Sequence, residues 1–283
     1  MKNFIKIFIV LLMFPVIGIA QEVDTLQVEK VVEKLERPAF ESATLIDNQT
    51  NVLFGKNTLD VQMQHRFDKI DGENTLAGIY GAANIRIALS YALHERLTVG
   101  FGTTKDNRLQ DFNWKAALLR QTRSNSMPVS VSYYGNFTVD ARQKGNDLFP
   151  TKQSRYSFFN QLIIAKKFGQ MLSLQLAPSI SHYNAVDPDM ENDMISIAFG
   201  GRAKISPQTA IIFDYSQPIT DFESDPKPGI SLGAEFATSG HTFQIFVTNY
   251  SGIVQQKNYM MNQNDFFDGD VLVGFNITRR YNF

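Results

Sequence analysis

The stretch "VLVGFNITRRYNF", residues 271–283, repeats with a period of two. Val271, Val273, Phe275, Ile277, Tyr281 and Phe283 take one side. Gly274, Asn276, Thr278, Arg280 and Asn282 take the other. Successive side chains of a strand point to opposite faces, so this is a strand with one apolar and one polar face. Read outward from the end of the chain, the same pattern returns about twelve times back to residue 58, in segments of roughly ten residues. In "TLDVQMQHRF" Leu59, Val61, Met63 and Phe67 oppose Asp60, Gln62, Gln64 and Arg66. In "AANIRIALSYAL" Ile85, Ile87, Leu89, Tyr91 and Leu93 oppose Asn84, Arg86, Ala88 and Ser90. The polar face is rich in Ser, Thr, Asn, Gln, Gly and Ala and carries only scattered charge, which suits an enclosed wet lumen.

Soluble sandwiches also alternate, but their strands average roughly five or six residues. The connections separate the two architectures. Long ones at 68–81, 141–153, 184–192, 217–229 and 251–269 and a medium one at 105–110 interleave with tight ones at 94–96, 168–170, 205–207 and 238–240 and a compact one at 122–127. Long loops on one side, short turns on the other and an even strand count are the signature of an outer-membrane barrel. The expected fold is therefore all-β, a transmembrane antiparallel up-and-down barrel of about twelve strands over 58–283, with both chain ends periplasmic. The aromatic ending Tyr281–Phe283 belongs to the interfacial girdle. It is similar to the terminal signal that barrel-assembly machinery selects, and Phe283 and Tyr281 are the candidate assembly residues.

The first twenty residues read as an export signal. Lys2 and Lys6 precede the apolar run "FIVLLMFPVIGIA", and Gly18 and Ala20 are small residues before a cut at Ala20/Gln21. A retained anchor is the alternative, against which stand the shortness of the run and Pro15. The signal removes two of 27 basic residues, leaving 25 against 28 acidic ones and a net charge of −3. That balance offers no basic field for nucleic acid. The chain has no cysteine, which excludes disulfides, thiolate catalysis and Cys-based zinc sites. Residues 21–57 form an N-terminal periplasmic segment or plug. Within it, Val28, Val31, Val32 and Leu35 have helical spacing up to Pro38. They describe a short amphipathic helix, for an apolar surface of this chain or for a partner.

Several stretches resemble an uncharacterised family of outer-membrane β-barrels, a domain of unknown function of the 5777 type. Among them are "LIDNQTNVLFGKNTLDVQMQHRF" (45–67), "GIYGAANIRIALSYAL" (78–93), "DFNWKAALLRQTRSNSMPVSVSYYGNFTVD" (111–140) and "TSGHTFQIFVTNY" (238–250). The resemblance extends over nearly everything after the signal. It implies the barrel and the outer membrane and brings no catalytic residues or cofactor with it.

Little in the residues themselves points to chemistry. Outer-membrane phospholipases need a Ser two positions from a His on the lipid-facing side. In "SISHYN", His182 has Asn184 there instead, and Ser181 points to the opposite face. His65, His94, His182 and His241 show no metal-ligand spacing. Acidic residues gather in three outer loops, at Asp187–Asp193, Asp221–Asp225 and Asp265–Asp270. They form either a divalent-cation site or a solvated surface cross-linked to lipopolysaccharide. The inward register carries Arg66, Arg86, Lys115, Arg155, Arg202 and Arg280 against Asp60, Asp214 and Glu235. This basic excess gives an open lumen weak anion selectivity; the equal alternative is that these cations pair with carboxylates, or with the 21–57 segment folded inside as a plug. No cofactor is expected. The partners are outer-membrane lipid, lipopolysaccharide and the assembly machinery, with room for an unidentified periplasmic or outer-membrane protein. The functional reading is a non-enzyme. It is a narrow porin-like channel for small solutes or, alternatively, a non-conducting scaffold of a surface complex, with a lipid-active enzyme a distant third.

Overall fold

The computed structural model describes residues 33–70, 76–143 and 149–283. The export signal and most of the 28–35 pattern lie outside the described residues. Residues 33–37 are not helical: Leu35 makes an antiparallel bridge to Thr122, and the Glu36 amide donates to the Gln121 carbonyl. That corrects the helix expectation where it can be seen. At Leu35 a backbone ladder to the barrel takes the place of a helical turn.

Two two-residue strands, β1 (Thr44–Leu45) and β2 (Asn48–Gln49), form a small hairpin. Then come β3 (Thr58–Lys69), β4 (Asn84–His94), β5 (Leu97–Thr104), β6 (Leu109–Leu119), β7 (Ser130–Asp140) and β8 (Tyr156–Phe168). The second half holds β9 (Leu172–Tyr183), β10 (Asp193–Lys204), β11 (Thr209–Pro218), β12 (Gly229–Ala237) and β13 (His241–Thr248). A short helix α1 (Gln255–Met261) sits in the longest loop, before β14 (Leu272–Asn282). Strands β3 to β14 close into a barrel in sequence order, all antiparallel, with β14 pairing β3. Closure satisfies every ladder, which lipid cannot do for an open edge. The strands are 8 to 13 residues long, the span a tilted strand needs to cross the hydrocarbon.

The alternation has the expected faces, and burial is inverted relative to a soluble protein. Ile87, Leu89, Ile195, Leu232 and Ile245 are about half exposed on the outer wall. Gln62, Gln64, Ser132, Asn136, Gln244 and Asn276 are almost fully buried on the inner wall. Apolar residues outside and polar residues inside require lipid around the barrel. His65 belongs to the outer wall, where it stacks on Phe275 at 5.0 Å between ring centres.

Candidate functional site

Buried polar groups need partners, and much of the inner wall finds them in the chain itself. Residues 38–54 lie inside the barrel, with Phe40, Leu45, Ile46 and Val52 buried. The β1–β2 hairpin turns at Ile46 and Asp47, with Ile46 in the left-handed region at φ 52°. A β-branched residue there is strained unless its surroundings hold it. Three wall groups do so. The Ile46 amide donates to Gln244 Oε1 (3.3 Å), and its carbonyl accepts from Asn276 Nδ2 (2.9 Å) and Arg66 Nη2 (3.3 Å). Gly200 makes room for the hairpin: a Cβ at that position would come within 2.6 Å of Leu45 Cδ2.

The hairpin tip is fixed by charge. Asp47 accepts from Arg66 (2.9 Å), Ser231 (2.7 Å) and Thr248 (3.1 Å). Asp214 accepts from the backbone amides of Asp47 (3.1 Å) and Asn48 (2.9 Å) and from Asn48 Nδ2 (2.9 Å). Lys115 donates to the Ala43 carbonyl (2.9 Å) and weakly to that of Val52 (3.5 Å). Gln175 Nε2 donates to the Gln49 carbonyl (2.9 Å).

From the outer end the α1 loop enters the same lumen. Gln256 Nε2 donates to Asn136 (2.9 Å), Thr138 (3.0 Å) and Ser157 (3.1 Å). Tyr259 stacks on Phe159, ring centres 5.7 Å apart, and its hydroxyl donates to Asn48 Oδ1 at 2.5 Å. Tyr134, Phe159, Ile163, Met194 and Met260 make an apolar cluster around this contact.

The residues expected in the lumen divide into two groups. Arg66, Arg86, Lys115, Arg202, Asp60, Asp214 and Glu235 are all inside and nearly fully buried. Arg155 is at the outer end, donating to the Asp140 and Arg142 carbonyls and lying over Phe149. Arg280 is at the periplasmic end, over the Phe54 ring. Two inward carboxylates were absent from the sequence-based set. Asp111 binds Arg86 through two bonds of 2.8 and 2.7 Å, and Asp47 binds Arg66. Arg202 meets Glu235 at 2.6 Å. Inside the wall, four cations (Arg66, Arg86, Lys115, Arg202) therefore face five carboxylates (Asp47, Asp60, Asp111, Asp214, Glu235), with Asp140 a sixth buried at the outer end. The expected basic excess is gone. Asp111 follows the alternation of β6 and was legible; Asp47 belongs to the segment before the barrel and has no periodic signal.

At the rim, His182 Nδ1 and Nε2 engage Asp193 and Asn184 at 2.8 and 2.9 Å, and among the described residues no serine or threonine hydroxyl bonds to the ring. Among the described residues, no three histidine or acidic side chains could hold a metal ion. In the outer loops, Lys69 hydrogen-bonds Asp270 at 2.8 Å and, with the Asp265 backbone, holds the Asp270 carboxyl below its usual range. A cavity of about 250 Å3 opens at the periplasmic mouth between residues 35–38, 51–55 and the end of β6.

A closed antiparallel barrel with an apolar exterior and a polar interior defines an integral outer-membrane protein. Residues 40–281 match the family model of the membrane bound beta barrel domain (DUF5777), and the chain belongs to that family. The matched region includes the internal hairpin as well as the barrel. No curated protein matches in sequence. Among solved structures, the fold resembles the NanC porin, at 8% identity and a TM-score of 0.51, over 80% of this chain and 100% of that one. The KdgM porin aligns at 10% identity and a TM-score of 0.45, over 80% and 99% of the two chains. These likenesses bear on the fold alone.

Proposed function

We propose that the protein is a small-solute channel of the outer membrane, held shut at rest by its own N-terminal segment. The observation that carries this reading is the mismatch between wall and filling. The wall is built of Ser, Thr, Asn and Gln, the side chains of a watered passage, yet residues 38–54 cover them through non-covalent contacts. A barrel meant to stay solid is more stably filled with apolar side chains. Eight strands give a lumen closed by side chains and about sixteen an aqueous channel, so twelve suit a restricted path. The name porin carried by the NanC protein agrees with this reading. The balanced interior charge assigns the path little selectivity, and the reading gives no side chain a catalytic role. Lipid and lipopolysaccharide surround the barrel, and Phe283 with Tyr281 presents it to the assembly machinery.

Planar-bilayer recording tests the reading. The mature chain is expected to be silent, and a form starting near residue 55 to conduct. Steady current through the full-length protein overturns the reading, while silence in both forms favours a scaffold.

A further inference from the structure

We propose that the hairpin and α1 form a single closure running the length of the barrel, so that displacement of α1 at the cell surface is reported at the periplasmic mouth. The proposal rests on the closed-channel reading and adds a relay to it. Its centre is one side chain. Asn48, 1% exposed, uses both ends of its amide: Oδ1 accepts from the Tyr259 hydroxyl, and Nδ2 donates to Asp214 Oδ1 (2.9 Å) and Ser216 Oγ (2.8 Å). Tyr259 is equally buried, and Gln255 Nε2 reaches the Asp47 carbonyl at 3.4 Å. The two elements enter from opposite ends of the barrel and meet here in the lumen.

Each end has a tether to its own side. Outside, Lys257 is ion-paired with Asp106, in the loop between β5 and β6. Toward the periplasm, Lys115 holds the Ala43 and Val52 carbonyls, and beyond them lies the mouth cavity. Withdrawing α1 takes the Tyr259 hydroxyl from Asn48, leaving a buried carbonyl oxygen with only a 3.5 Å contact from Gln161. An unsatisfied buried acceptor weakens the seat of the hairpin. Linkage makes the effect mutual, so loosening the hairpin also loosens α1.

The absence of cysteine in the chain makes single-site labelling clean. Ala43→Cys, at a position 8% exposed, reports the hairpin in the full-length protein. Its reaction with a bulky polar maleimide is timed in the parent, in Asp106→Ala, in Tyr259→Phe and in the double variant, each checked by heat-modifiable mobility. Slow labelling is expected in the parent. Each single change should speed it by about tenfold, and the pair by clearly less than the product of the two. An unchanged rate in Asp106→Ala, or effects that multiply, overturns the relay while leaving the closed barrel standing. Fast labelling of the parent overturns the seated hairpin, and the relay with it.

Discussion

Replacing Asp47 by Ala should open the barrel without unmaking it. The carboxylate accepts from Arg66, Ser231 and Thr248, and Arg66 is fully buried. Its removal leaves the guanidinium with only neutral acceptors, Asn276 Oδ1 (3.0 Å) and the His65 (3.0 Å) and Ile46 (3.3 Å) carbonyls. Breaking one side of a buried ion pair costs about 3–5 kcal/mol. The lower end applies here, because the Asp47 amide lies 3.1 Å from the Asp214 carboxylate, so losing one negative charge also removes a repulsion. The strand ladders do not involve Asp47, and the cost therefore falls on the seated hairpin. About 3 kcal/mol is roughly a hundredfold in the seated-to-released ratio. In planar bilayers the open probability of Asp47→Ala should rise by about that factor over the mature chain. Asp47→Asn keeps acceptors for Ser231 and Thr248 and should fall between. A correctly folded Asp47→Ala as silent as the parent refutes the reasoning.

Four further outcomes follow from the barrel. Ile87→Arg places a charge on the lipid face at a site 53% exposed, and should cost about 2–4 kcal/mol or abolish assembly in a heat-modifiable gel assay. Ser90→Arg should still assemble, but Ser90 borders an inner cavity of only about 20 Å3, so the new side chain should displace the 43–54 segment and make the barrel leak. A Cβ at Gly135 would come within 2.6 Å of the Trp114 ring, so Gly135→Val should shift the emission of the only tryptophan; a superimposable spectrum contradicts that contact. Deleting Phe283 removes a side chain 79% exposed and a single backbone bond to Asn57. It should slow insertion while leaving the melting temperature of the inserted barrel nearly unchanged; normal surface levels count against this.

The barrel was legible because its signal is local. A period of two and alternating loop lengths report directly on which face meets lipid and which end meets the cell surface. The filling was harder to read, because residues 38–54 make wall contacts more than a hundred positions away, such as Asn48 to Asp214, and have no period of their own. A trace was nonetheless present. Tyr134, Ile212 and Phe246 occupy the polar register of their strands, and each is buried inside the barrel, Tyr134 in the cluster around α1 and the other two beside the hairpin. An apolar side chain facing a watered lumen needs a cover, and those three positions pointed to one. The interior charge was only partly legible: Asp111 follows the period of β6, whereas Asp47, which neutralises Arg66, lies outside any strand.

The central claim is that residues 38–54 occupy the lumen of the assembled protein, and a disulfide between hairpin and wall tests it most directly. A Cβ at Gly200 would lie 2.6 Å from Leu45 Cδ2. A cysteine at 45 ends one bond short of that atom, so Leu45→Cys with Gly200→Cys comes within disulfide reach and leaves the Asn48 hydrogen bonds in place. In a chain otherwise free of cysteine, this pair should cross-link on mild oxidation in intact outer membranes. The account predicts near-complete bridging, seen by mass spectrometry as a single linked peptide pair, and a protein that stays electrically silent when oxidised. Two free thiols after oxidation, both open to a polar maleimide, contradict it.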